Sequence, residues 1–128
     1  MMTAQQKLKH YIINYAGITP KESISAENID RVYDLLCDSD ETSDQMQDAR
    51  NDVRTIGEET DVPVGYSRYF EADSVALKML DGTWVGWTYY HGGGKHSYPD
   101  EIDWIPDAYN LDVEEKEVTV TQRTFKKK

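Results

Sequence analysis

The chain has 128 residues, with 14 Lys and Arg against 24 Asp and Glu, and a formal net charge of −10. Only 38% of residues are hydrophobic, yet 3 Trp, 9 Tyr and 2 Phe supply enough aromatic surface for a small core, which argues against a disordered chain. No run approaches the ~20 apolar residues of a membrane span, Met1 to Lys7 lacks the apolar stretch of a secretory signal, and one cysteine, Cys37, leaves no internal disulfide and no zinc site of its own.

These limits predict one soluble domain over 1–128 in a reducing compartment, with a helical, acidic part over 1–61 and a β-rich part over 62–128. The charge is concentrated. Residues 1–21 carry Lys7, Lys9 and Lys21 and no acid, residues 22–61 carry 13 acids against 3 bases, and residues 62–128 carry 11 acids against 8 bases. The middle segment therefore holds the equivalent of the whole net charge. Such a surface is repelled by nucleic-acid phosphates and anionic membranes and attracts basic partners.

In chain order, Ala4, Leu8, Tyr11, Ile12 and Tyr15 share one helical face, and Gly17 and Pro20 follow as stops, which predicts a helix over about 3–16. Ser25 is the expected cap of a second helix, with Ile29, Val32, Tyr33 and Leu36 inward. Thr42 or Ser43 caps a third, with Met46, Ala49, Val53 and Ile56 inward and Gly57 at its end. After Pro63 and Gly65 the pattern turns to β. Asp81-Gly82 between two β-prone runs predicts a hairpin. A two-residue turn there pairs Met79 with Trp84, Leu77 with Gly86 and Val75 with Thr88 on one face, and Lys78 with Val85, Ala76 with Trp87 and Ser74 with Tyr89 on the other. Both faces then carry large apolar groups, so one packs on the helices and the other needs a cover or a second copy of the chain.

Gly92-Gly93-Gly94 interrupts the strand, Pro99 to Trp104 reads as one helical turn, and 118–125 reads as a last strand paired with 109–113. The expected architecture is α+β: about three N-terminal helices packed on a three- or four-stranded antiparallel sheet.

Three groups of residues invite a functional reading. The first is a pair of acidic stripes: Asp30, Asp34 and Asp38 at i, i+4, i+8 of the second helix, and Asp44, Asp48 and Asp52 on the third. Like charges at this spacing oppose helix stability. They lie ~6 Å apart along a helix, close to the spacing of phosphates on a nucleic-acid strand, so such a surface suits the basic channel of a nucleic-acid-binding protein. Its plainer role is a solvated face that keeps the protein soluble.

The second group runs from Trp84 to His96. Gly92, Gly93 and Gly94 allow close backbone approach to a ligand, Lys95 and His96 add polar groups, and Trp87 and Tyr89 can stack on a base. No phosphate-loop or dinucleotide fingerprint stands here, and the structural alternative is a hairpin end and loop with the tryptophans in the core. The third is His91, His96, Glu101 and Asp103, which could converge on an ion but match no metal-binding spacing. No metal or cofactor is assigned. Nothing marks Cys37 or Ser97 as an activated nucleophile.

The run from Asp81 to Tyr90 (Asp-Gly-Thr-Trp-Val-Gly-Trp-Thr-Tyr-Tyr), then Gly92-Gly93-Gly94-Lys95-His96, Ile102-Asp103-Trp104 and Ala108-Tyr109, resembles a family of small proteins encoded by bacteriophages, prophages and related mobile elements. The likeness extends upstream through Tyr66 to Tyr69 and Glu71 and covers the C-terminal half. Tyr90-His91 departs from the aromatic pair that such relatives carry before the glycines. The resemblance assigns no activity and no catalytic residue. It implies an accessory protein in the cytoplasm of a host bacterium, where small acidic proteins of this source block host or defence proteins, restriction and CRISPR effectors among them.

Together these readings predict a non-enzymatic protein that binds a basic host or defence protein through Asp30, Asp34, Asp38, Asp44, Asp48 and Asp52, with no direct nucleic-acid or membrane contact. The alternatives are a nucleotide-sequestering protein using Trp87, Tyr89 and the loop from Gly92 to His96, and a metal-dependent hydrolase.

Overall fold

In the computed structural model, residues 2–63, 71–91 and 103–112 are described. Among these residues, three N-terminal helices precede a four-stranded antiparallel sheet, the α+β arrangement expected from the sequence. Helix α1 spans Ala4–Tyr15, α2 Ile29–Asp38 and α3 Ser43–Thr55. Strands β1 (Glu58–Glu59), β2 (Glu71–Lys78), β3 (Trp84–His91) and β4 (Tyr109–Leu111) follow in spatial order β1-β2-β3-β4, with a 3-10 turn over Ile105–Asp107 leading into β4. No helix among the described residues is long and apolar enough to cross a membrane.

The helices form where their apolar periodicity lets them bury a stripe. α1 begins in a capping box: the Thr3 hydroxyl accepts from the Gln6 amide, and the Gln6 side chain accepts from the Thr3 amide. Ala4, Leu8, Ile12 and Ile13 are buried, whereas Tyr15, expected inward, is exposed. Helix α2 starts later than a Ser25 cap implies. Ser25 instead closes a preceding turn, its amide donating to Asn28 Oδ1 at 2.8 Å, and Asn28 occupies the cap position. Thr42 caps α3 in position only, because its hydroxyl donates to the Leu36 carbonyl. Met46, Ala49 and Val53 are buried as their spacing requires, but Ile56 is exposed beyond the last turn.

The hairpin is found, with a different register. Lys78 pairs with Trp84, Leu77 with Val85, Ala76 with Gly86, Val75 with Trp87 and Ser74 with Thr88. The loop holds three residues, Leu80-Asp81-Gly82. The Gly82 amide donates to the Met79 carbonyl, Gly82 has φ +86°, and the Met79 amide donates to the Thr83 carbonyl. This is a type I turn closed by a left-handed glycine, a conformation glycine adopts without strain. Asp81 fixes it by accepting from both the amide and the hydroxyl of Thr83.

A slip of one residue exchanges the partners on each face. The observed register gathers Val75, Leu77, Val85, Trp87 and Tyr89 toward the helices, where all five belong to or pack against a core shared with α1, α2 and α3. The two-residue turn would have divided these side chains between faces. On the other face, the Tyr109 ring and Leu111 lie over Gly86 so closely that a Cβ there would sit 2.7 Å from Tyr109 Cε2. Part of the cover that face needs thus comes from β4.

Strand β1 was not legible in advance. Its two glutamates pair with Ala76 and Val75, and Thr60 and Ser74 reinforce the edge through their backbone and hydroxyl groups. β4 pairs with β3, a partner the sequence did not indicate; the strand expected over 118–125, and most of the turn expected at Pro99 to Trp104, lie outside the described residues. Trp87 and Trp104 meet in the core with ring centroids 5.1 Å apart at 44°.

Candidate functional site

The helical layer carries the acidic stripes on its outside. α1 packs on both other helices and on β3 and β4, while α2 and α3 pack on α1 and on each other. Asp30, Asp34, Asp38, Asp44, Asp48 and Asp52 are all exposed, because Ile29, Val32, Tyr33, Met46, Ala49 and Val53 take the buried stripe on the same two helices. Two of the six have local partners. Lys9 Nζ donates to Asp30 Oδ1 at 2.9 Å and Gln6 Nε2 to Oδ2 at 3.1 Å, and these bonds hold the Asp30 carboxyl below the usual carboxylate range. The Tyr15 hydroxyl reaches Asp52 at 3.5 Å. Asp34, Asp38, Asp44 and Asp48 have no hydrogen-bond or ion-pair partner among the described residues, and all four side chains are exposed.

Arg50 and Arg54, the cations of α3, are turned toward the rest of the fold. Arg50 pairs with Asp103 at 2.9 Å. Arg54 donates to the Tyr90 carbonyl at 2.9 Å and lies 5.1 Å from the Tyr89 ring centre, while its own carbonyl accepts from Trp87 Nε1. Arg54 Nε is buried with no hydrogen-bond partner among the described residues. A shallow cleft of about 550 Å³ opens between the helices and the 3-10 turn, with Lys9, Asp34, Arg50 and Asp103 around Tyr33. Burial pushes the Tyr33 hydroxyl above its usual range.

The proposed ligand segment is divided. Trp87 is 0% exposed and committed to the core, so it has no free ring face for a base; stacking on Trp87 is corrected to a packing role. Tyr89 is half-buried, and its ring is already shared between the Arg54 guanidinium and a stack with His91 at 5.1 Å and 25°. Gly92, Gly93, Gly94, Lys95 and His96 lie outside the described residues.

His91 is bracketed by carboxylates at the open end of the hairpin. Nε2 lies 2.7 Å from Asp73 Oδ2, and Nδ1 lies 3.5 Å from Glu71 Oε2. Both acids come from β2, because the register sets Glu71 opposite His91 and Asp73 opposite Tyr89. They address opposite ring nitrogens and so do not converge on one point. Among the described residues no group of three or more His, Cys, Asp or Glu side chains is placed to hold a metal ion, and Asp103 is engaged with Arg50; His96 and Glu101 lie outside the described residues. Cys37 is a half-buried free thiol pushed up by burial, away from the reactive thiolate.

Sequence reasoning missed a second surface feature. Leu35 is 58% exposed in the middle of α2, off the buried stripe and between Asp34 and Asp38. Its signal was a large apolar residue outside the i, i+3, i+4 pattern.

Comparison with protein-family models, curated proteins and solved structures finds no match for this chain.

Proposed function

We propose that this is a non-enzymatic binding protein whose acidic helical layer occupies a basic, nucleic-acid-handling surface of another protein. The observation that carries this reading is the treatment of charge on α2 and α3. Asp34, Asp38, Asp44 and Asp48 are exposed without a cation partner among the described residues, while Arg50 and Arg54 are spent on Asp103 and on the sheet. Four exposed carboxylates at helical spacing cost helix stability, and of the four only Asp34 lines the cleft that also holds Lys9 and Arg50. A partner lined with Lys and Arg would relieve that repulsion and be steered to the surface over a distance set by the ionic strength.

The sequence resemblance to phage and mobile-element proteins makes a bacterial host or defence protein the partner of choice, in the bacterial cytoplasm. The nucleotide-binding alternative has lost Trp87 to the core, and the hydrolase alternative has no convergent ligand set among the described residues.

The test is capture by the tagged protein from a bacterial lysate, washed at low and then high salt. A stoichiometric nucleic-acid-binding protein released by salt is expected, and it should be lost when Asp34, Asp38, Asp44 and Asp48 are all changed to Asn. Undiminished capture by that folded variant would remove the acidic layer from the interaction.

A further inference from the structure

Beside the acidic stripe of α2 lies a groove of about 570 Å³ whose floor is apolar. Ile18 and Pro20, in the connection after α1, face Val32, Leu35 and Leu36 of α2 across it. Leu35 is more than half exposed, the most exposed large apolar side chain among the described residues. A solvated acidic face gains nothing from such a residue.

The charge around the groove is uneven. Arg31 and Glu22 on its rim neutralise each other at 2.6 Å, which leaves Lys21 as the remaining cation among the described residues that line it. Glu41 lines the groove just past the C-terminus of α2, next in the chain to exposed Asp40 and close to Asp38, and the helix has no basic residue in its last turn. That order opposes the helix dipole, whose C-terminal end is itself partly negative. Carboxylates and carbonyls at one end of an apolar trough attract a cation attached to an apolar body.

We infer that this groove receives the apolar face of a basic amphipathic segment, with Leu-sized side chains against Leu35 and Leu36 and Lys or Arg side chains against Asp38, Asp40 and Glu41. Helix-in-groove docking has this form: apolar anchors at i, i+3 and i+4 fix the register, and flanking charges fix direction. The inference rests on the reading of the acidic helices as a partner surface and supplies the chemistry of the partner.

The probe is a Leu-Lys amphipathic peptide about four helical turns long, with two controls in which every Leu becomes Ser or every Lys becomes Glu. Binding to the full chain is followed by fluorescence anisotropy over a range of salt. Tight binding of the Leu-Lys peptide alone is expected. Leu35→Ser should weaken it about tenfold, given the apolar surface at stake. Asp38→Asn with Asp40→Asn should weaken it and flatten its salt dependence, while Glu58→Gln on the sheet edge leaves it unchanged. Equal binding of the Ser-Lys peptide, or no effect of Leu35→Ser, would overturn the groove. A concentration-dependent mass in sedimentation equilibrium that Leu35→Ser abolishes would assign the groove to a second copy and overturn it as well. Failure here with capture still lost in the four-Asn variant leaves the acidic-layer reading standing; capture retained by that variant removes the reading itself.

Discussion

Gly57 joins α3 to the sheet, and changing it to Ala sets two effects of opposite sign against each other. Replacing Gly by Ala where the backbone is compatible stabilises by about 0.4–1 kcal/mol, through the lower entropy of the unfolded chain. Gly57 does not need the left-handed region, so that gain is available. The space is not. A Cβ at Gly57 would lie 2.9 Å from Val75 Cβ, 3.0 Å from Val75 Cγ2 and 3.2 Å from Trp87 Cζ2. Val75 Cβ belongs to the root of a β-branched side chain in a paired strand, and Trp87 is wholly buried with its indole nitrogen tied to the Arg54 carbonyl at 3.2 Å. Neither neighbour can swing away, so overpacking at about 1–3 kcal/mol decides the sign. The expected net loss is about 0.5–2 kcal/mol, a fall in Tm of about 2–7 °C for a chain of this length. Thermal unfolding followed by far-UV circular dichroism and by tryptophan fluorescence measures it. A Tm equal to or above that of the parent would refute the close approach of α3 to the Val75–Trp87 pair.

Gly17, at φ +74° with open space around it, is limited by its backbone alone; Gly17→Ala should cost about 1 kcal/mol and Gly17→Asn distinctly less, and equal costs in urea titration would contradict that origin. The Asp81 carboxyl is held below its usual range chiefly by the Thr83 hydroxyl and amide. A lowered folded-state value means its stabilising effect is present above about pH 4 and is lost as pH falls through the folded value. Asp81→Ala should therefore destabilise at pH 7 by up to about 1 kcal/mol, a figure kept small by solvent exposure, and by less at pH 2.5; a constant difference across that range would refute the carboxylate's role in the turn. Burial of the Cys37 thiol predicts alkylation by iodoacetamide at pH 7.5 slower than in the urea-unfolded chain, and equal rates would contradict it.

The parts of the fold legible in the sequence are those where spacing alone decides burial. Leu8 and Ile12, Ile29 with Val32 and Tyr33, and Met46 with Ala49 and Val53 sit where a 3.6-residue period puts them. What escaped depends on contacts between distant segments. The hairpin register turned on whether Leu80 ended a strand or entered the loop, and local turn chemistry permits both; gathering Val75, Leu77, Val85 and Trp87 on the helical face decided it. β1 is two glutamates, whose strand character comes from pairing with Val75 and Ala76 and from the Thr60–Ser74 hydroxyl contact. For the acidic layer, spacing was enough to put Asp34, Asp38, Asp44 and Asp48 outside. It was not enough to foresee that Arg50 would be drawn to Asp103 and Arg54 to the sheet, which leaves those carboxylates without a paired cation among the described residues.

The most direct measurement of the central claim is competition. The protein captured through the acidic layer is loaded with a fluorescent nucleic acid and titrated with this chain. Stoichiometric displacement is predicted, weakening steeply with salt and absent for the variant with Asn at 34, 38, 44 and 48. A ternary complex in which the nucleic acid stays bound would contradict occlusion of a nucleic-acid-binding site.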